Sequence, residues 1–304
     1  MKYKKLKLSA ILLLGLGLTG VHAQEGINIP TGGIITATGA ANITIYNGGL
    51  VNNGTFTKAT ETVTFTGNSA KTISGSNTDL YNLLVSNTGG ITTQLGLLTA
   101  NNLTVGSGSK FTIAPAKAVT VSGTTTMTDA QSLVIKSSAT AIGSLKDNGF
   151  SGAGTAKVER WVSSNNSIRW EYISSPVASA SSNIFTSLLP ARGLYYSNEP
   201  TNSWLSYTVA SPGTMGVMTG YTRKYVNGET GSDGVADFAG VLNTGVIPPI
   251  TLTGTTISTV FNGWNLVGNP YPSAMDWNAS SGWTKTNLDN AIYFRSNGNY
   301  GSYI

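Results

Sequence analysis

The stretch Asn42-Ile43-Thr44-Ile45-Tyr46-Asn47-Gly48-Gly49 (NITIYNGG) returns three times in altered form, as TVTFTGNS at 62–69, NLLVSNTG at 82–89 and NLTVGSGS at 102–109. Each copy begins 20 residues after the one before it. Within every copy two apolar residues alternate with polar ones: Ile43 and Ile45, Val63 and Phe65, Leu83 and Val85, Leu103 and Val105. Side chains on a strand point alternately to opposite faces, so this period of two describes strands with one buried face. A fixed interval that returns the same strand in the same phase is the mark of a solenoid, in which each turn of chain stacks on the last. The pattern predicts a right-handed parallel β-helix of about 20 residues per coil, with Ile43, Val63, Leu83 and Leu103 in one inward column.

Outside those four copies the register is looser. Val51, Ile91 and Phe111 share a phase, while Lys71 occupies the fourth place. Val119–Val121 and Leu133–Ile135 follow at intervals of 16 and 14 residues, which predicts a coil that tapers. The competing arrangement for the same strands is a plain antiparallel sandwich whose spacing is coincidental.

The chain opens with Lys2, Lys4, Lys5 and Lys7, then an apolar run from Leu8 to Leu18, then Val21-His22-Ala23 before Gln24. That is the three-part layout of a secretory signal peptide over residues 1–23. The apolar run is shorter than the roughly 20 residues a membrane span requires. Cleavage is therefore expected between Ala23 and Gln24, giving a secreted or cell-surface protein with no transmembrane segment after signal removal.

Loss of those residues changes the charge. Of 18 Lys and Arg residues, four lie in the signal, which leaves 14 basic against 13 acidic residues, or +1. The electrostatic footprint of a nucleic-acid binder is missing. The single histidine, His22, also lies in the signal, and the chain has no cysteine. Ser-His-Asp and Cys-His nucleophiles, His or Cys zinc sites and disulfides are thereby excluded from the mature protein. Carboxylate or lysine chemistry remains, as does cation binding through oxygen.

Composition divides the chain at the glycine-rich stretch 148–154. Residues 24–150 hold no tryptophan and five acidic residues, whereas residues 151–304 hold all six tryptophans and ten of the 13 tyrosines. In the second region short apolar runs at Trp170–Ile173, Leu194–Tyr196, Tyr221–Val226 and Ala291–Arg295 predict an antiparallel β-sandwich. Ser182–Leu189 reads as its one short helix, with Ser182 or Asn183 as cap. The last residues read as two strands around an Asn297-Gly298-Asn299 turn, and the chain stops inside the second, which predicts an incomplete sandwich.

Several stretches of the second region resemble modular secreted proteins of the Bacteroidetes, many of them cargo of the type IX secretion system. The resemblance is carried by KVERW (157–161), WEYISSPV (170–177), FAGVLNTG (238–245) and above all GWNLVGNPYPSAMDW (263–277). In the first region only the weak pattern Tyr81-Asn82-Leu83, followed by a valine strand and an Asn-Thr-Gly turn, contributes. The resemblance implies an adhesin-like surface protein with no catalytic motif to carry over. Such proteins end in a β-rich sorting domain that is not seen here, which again implies a fragment.

Candidate sites are few. Flat indole rings stack on sugars, and Trp277 and Trp283, near Asp276 and Asn278, are the candidates for glycan contact, although aromatic residues more often fill a core. Gly268-Asn269-Pro270-Tyr271-Pro272 is read as a structural turn, with prolines that admit a cis bond. Glu229, Asp233 and Asp237 make calcium the one candidate cofactor, against the weightier reading of solvated turn carboxylates. Glu61, Asp79, Asp129 and Asp147 do not share a repeat phase, and Lys71 and Lys110 align too weakly for a lyase base, so no paired acid and base is predicted and no catalytic residue is assigned. The expectation is a structural or adhesive protein displaying a binding module toward extracellular glycans or proteins. The alternative is a polysaccharide-active enzyme, or a carbohydrate-binding module, on a β-helix scaffold.

Overall fold

The computed structural model describes residues 20–162, 169–186, 193–208, 210–225, 234–256, 262–289, 291–296 and 299–303. It is nearly all β: a parallel solenoid of about six turns followed by antiparallel sheets.

The solenoid has three walls. On the first, Ile43 pairs with Val63, Val63 with Leu83, Leu83 with Leu103 and Leu103 with Thr125, all in parallel. The predicted inward column is therefore present, and Val63, Leu83 and Leu103 are buried in it. Ile45, Phe65, Val85, Val105 and Met127 form a second column beside it. On the second wall Leu50, Ile73, Thr93, Ile113, Ile135 and Val158 stack in the same way. On the third, Leu98, Val119 and Leu145 are in register.

Two details of register differ from expectation. Val119–Val121 pairs with the third-wall residues 98–100, and Leu133–Ile135 pairs with Phe111–Ile113 on the second wall. They are sides of one coil, not successive coils, and the coil does not taper. Its true continuation on the first wall is Thr125, 22 residues beyond Leu103, where a buried threonine hides the phase from an apolar pattern. Lys71 does pair with Ile91, but Val51 pairs with Ser74, because the corner after Asn47 is shorter than its counterparts in the later coils, Tyr46 leading to Leu50 where Thr66 leads to Ile73, and this gives Leu50 the inward place.

The abundance of Asn and Thr has a structural use. Residues 42, 62, 82 and 102 stack at one corner. There Asn82 Nδ2 donates to Thr62 Oγ1 (3.3 Å), Asn102 Nδ2 donates to Asn82 Oδ1 (3.0 Å), and the Thr124 amide donates to Asn102 Oδ1 (3.1 Å). Asn47, Asn77 and Asn87 likewise accept from backbone amides at other corners. Where a corner interrupts the strand ladder its backbone groups need side-chain partners, and Asn47, Asn77, Asn87 and Asn102 each accept from one such amide, while Asn82 and Asn102 also link coil to coil through their side chains.

The ladder continues past the compositional divide at 150. Ala156–Val162 lies parallel to Leu133–Ile135 and antiparallel to Gly234–Gly240. The antiparallel strand covers what would be an open edge of the solenoid. Phe238 on that strand is fully buried opposite Val158, and its ring meets Phe185 edge-on at 5.6 Å. Beyond it lies a four-stranded antiparallel sheet, ordered Arg169–Ile173, Tyr221–Tyr225, Leu194–Asn198, Ser203–Tyr207. Ile292–Ser296 and Asn299–Tyr303 form a hairpin, as read from the sequence; its Asn297 and Gly298 fall outside the described residues. The expected helix is a single turn, Asn183–Thr186, directly after Ser182; residues 187–189 are outside the described ones. Buried residues of both regions, from Val63 to Phe238 and Leu242, belong to one apolar cluster.

Candidate functional site

Asp276, Trp277, Asn278 and Trp283 come together in one turn. Asp276 Oδ1 accepts from the Asn278 amide (2.9 Å), and Trp283 Nε1 donates to the Asp276 carbonyl (2.7 Å). The two indoles meet edge to face with centroids 4.9 Å apart. Lys285 then closes the group: its Nζ lies 4.0 Å from the Trp277 ring centre and donates to the Trp277 carbonyl (2.7 Å). Both tryptophans are half-buried, and a cation already occupies one face of Trp277. The turn is a small cluster in which Asp276 Oδ1, the Trp283 ring nitrogen and the carbonyls of Asp276 and Trp277 are engaged locally.

The Gly268–Pro272 segment is tied to several other parts of the chain. The Tyr271 amide donates to Asn269 Oδ1 (2.9 Å), the Asx-turn bond expected of Asn before a turn. Ser174 Oγ donates to the Asn269 carbonyl (2.7 Å), and Asn243 Nδ2 donates to the Pro270 carbonyl (3.0 Å) and the Ser175 carbonyl (3.3 Å). The Leu145 amide of the solenoid donates to the Pro272 carbonyl (3.2 Å). A Cβ at Gly268 would stand 2.3 Å from Ser174 Cβ, so only glycine fits. No cis peptide bond occurs among the described residues, so the admitted cis proline is corrected: here the prolines serve only to fix φ.

The carboxylates are dispersed. Buried Glu61 joins two coils by accepting from the amides of Ala59 (2.7 Å) and Tyr81 (2.8 Å). Asp79 accepts from Lys58 (2.7 Å) and from Thr99. Asp129 accepts from Ser107 and the Gly108 amide. Asp147 pairs with Val121 on the third wall, and burial pushes its carboxyl up to about 6. Asp237 is held by Lys157 (2.9 Å), which also approaches buried Glu159 (3.3 Å); Lys136 meets Glu159 at 2.6 Å. Burial pushes the Glu159 carboxyl up, but Lys136, the Ser137 amide and Lys157 outweigh it and hold the group below its ordinary range. The other two residues of the calcium reading, Glu229 and Asp233, lie outside the described residues. Among the described residues no group of three or more metal-ligating side chains forms.

Two features escape sequence reasoning. Glu199, just after a sheet strand, reaches across to a distant loop: its Oε1 accepts from the Thr255 amide (2.8 Å), Thr255 Oγ1 (3.0 Å) and the Gly263 amide (2.9 Å). Those amide donors hold its carboxyl down at about 2. The second feature is the outward face of the four-stranded sheet, where Trp170, Tyr172 and Trp204 are 42, 45 and 54 % exposed. The alternation of Trp170 and Tyr172 on one strand was the available signal for it.

The molecule is thus an all-β protein in which a parallel solenoid is closed by antiparallel sheets, with polar side chains stapling coils and pinning loops. The chain belongs to the family described as Domain of unknown function (DUF8693), which matches residues 85–303. No curated protein and no solved structure matches it. The match begins at Val85, inside the coil strand Thr78–Asn87, so the family unit takes in the later coils together with the antiparallel sheets.

Proposed function

We propose that this protein is a secreted or cell-surface scaffold that displays a binding module toward extracellular glycans or proteins and carries out no catalysis. The observation that supports the reading best is how the solenoid spends its polar groups. Glu61, Asp79 and Asp129, with the stacked asparagines, each bind amides, hydroxyls or a lysine of a neighbouring coil. Side chains committed to holding coils together are poor candidates for acid–base work, which needs a reacting atom within reach of an uncommitted group. A stiff stack of coils carrying a second region at its end suits display, and display gains strength from several weak contacts at once. Export through the type IX route accords with the resemblance of residues 157–277.

A second reading, a polysaccharide-active enzyme, draws on Asp147, since a carboxyl at about 6 has the proton affinity of a general acid near neutrality. The decisive experiment is a glycan array and a polysaccharide-turnover assay with residues 24–304. Retention on a glycan or on an extracellular protein surface, without release of reducing ends, is expected. Turnover that disappears in Asp147→Asn would overturn the non-catalytic reading, and retention on no surface at all would overturn the binding module.

A further inference from the structure

We infer that the outward face of the four-stranded sheet binds a neutral polysaccharide by ring stacking. The inference rests on the display reading above and gives it a site and a ligand class.

Cross-strand partners in an antiparallel sheet share a face. Tyr172 pairs with Thr222, Thr222 with Tyr195, and Tyr195 with Ser206, which makes one row across all four strands. Trp170 stands on the same face, two residues before Tyr172, and its ring meets that of Tyr195 edge-on at 5.7 Å. Trp204 pairs with Ser197 at the other side of the sheet and completes the layer. The opposite face carries Ile173, Leu194, Tyr196, Tyr207 and Tyr221, all part of the core or packed against it. The sheet therefore satisfies its apolar demand inward, and the outer rings stay between 42 and 54 % exposed at Trp170, Tyr172 and Trp204. A contiguous exposed aromatic layer on a protein surface marks a contact site.

The composition of the layer selects the partner. Apart from Lys224, its positions are indole, phenol and hydroxyl, with no Leu, Ile, Val or Met among them. Lys224, paired with Trp170, is the only charged residue at these positions, so neither a polyanion nor a polycation is favoured. Flat rings separated by Ser and Thr match a chain whose own surface alternates C–H faces with hydroxyls. A neutral polysaccharide has that surface. The Asp276–Trp283 turn is the smaller platform, two rings within a single turn against a layer that crosses four strands.

The test is affinity electrophoresis and pull-down of residues 24–304 with insoluble neutral polysaccharides: cellulose, chitin, xylan and a β-1,3-glucan. Trp170→Ala and Trp204→Ala should each weaken binding about tenfold, the loss of one stacked ring, and together should abolish it. Their thermal midpoints should match the parent, and Trp283→Ala should bind normally. Trp204→Ala alone, on the edge strand, keeps the test in force if the double variant does not fold. Unchanged binding in both single variants, or a loss confined to Trp283→Ala, overturns this site while leaving the display reading intact. Retention on none of the four polysaccharides, with adhesion to a protein-coated surface that the double variant loses, assigns the face to a protein partner and overturns the polysaccharide. Retention on no surface overturns both.

Discussion

The solenoid and the antiparallel region use the same polar residue types in opposite ways. In the solenoid a side-chain hydrogen bond joins residues about one coil apart: Asn82 to Thr62 and Asn102 to Asn82 each span 20 residues, and Asn148 to Ser122 spans 26. In the antiparallel region single side chains reach much farther, as Glu199 does to Gly263 (64 residues), Asn243 to Ser175 (68) and Ser174 to Asn269 (95). A solenoid turn needs only its neighbours, so its stability is close to a sum of repeated local terms. The second region depends on a few long-range pins, each closing a loop whose entropy must be overcome. Isolated polar residues in the second region such as Glu199, Asn243 and Ser174 therefore serve as clasps in the fold that no local pattern in the sequence announces.

The sharpest way to break this contrast is to charge the repeated column. Leu83→Asp or Val63→Asp places an unpaired carboxylate among side chains that are 1 % exposed. Each should destabilise the solenoid by more than about 4 kcal/mol and abolish cooperative folding. Thr64→Asp, on the alternate face, should stay within about 0.5 kcal/mol. Denaturant unfolding followed by circular dichroism measures all three, and equal losses at Thr64 and Leu83 would mean that the alternation does not set the core.

A smaller effect is expected from the pins. Gly268→Ala forces a Cβ against Ser174, at a cost of about 1–3 kcal/mol. Asn243→Ala leaves the buried carbonyls of Ser175 and Pro270 without their donor, for a similar cost. Hydrogen exchange should show both losses in the strands at 169–173 and 221–225, while the amides around Leu83 and Val85 keep their protection. Equal loss in the solenoid would make the two regions one cooperative unit.

The same difference explains what the sequence made legible. Ile43, Val63, Leu83 and Leu103 could be placed because a period of 20 and an alternation of two are both written into the chain. Thr125 and Thr93 occupy inward positions with a polar side chain, so the apolar pattern lost the walls there and read two sides of one coil as a taper. The capping of 156–162 by 234–240 joins strands about 80 residues apart and leaves no local trace. Among the candidate site residues, the gathering of Asp276, Trp277, Asn278 and Trp283 followed from their closeness in sequence. The alternation of Trp170 and Tyr172 hints at an aromatic face, but gathering Trp170, Tyr195 and Trp204 on it required the register of four strands, which no single strand reveals.

The smallest effect separates the regions by pH. Asp147 sits in the last full coil, where its neighbours on the same wall are apolar, and Oδ2 has no hydrogen-bond partner among the described residues. Burial raises its pKa from 3.8 to about 6. The folded state thus binds this proton more tightly than the unfolded state does, so the contribution is harmless below pH 4, grows as pH rises to about 6, and is constant above that. The full shift corresponds to about 3 kcal/mol. Partial solvent access screens this to about 1–2 kcal/mol. Asp147→Asn should accordingly raise the thermal midpoint by about 2–4 °C at pH 7 and change nothing at pH 3.5. Glu199 has the opposite sign: its amide-bound carboxylate, lowered to about 2, contributes stability above its unfolded pKa that is lost as pH falls through about 2. Acid should therefore loosen the contacts of Glu199 with Thr255 and Gly263 while relieving the solenoid. Thermal scans of the parent, Asp147→Asn and Glu199→Gln from pH 3 to 7 would separate the two. An Asp147→Asn gain that is the same at pH 3.5 and pH 7 would mean that the carboxylate is solvated and the solenoid interior open at that end.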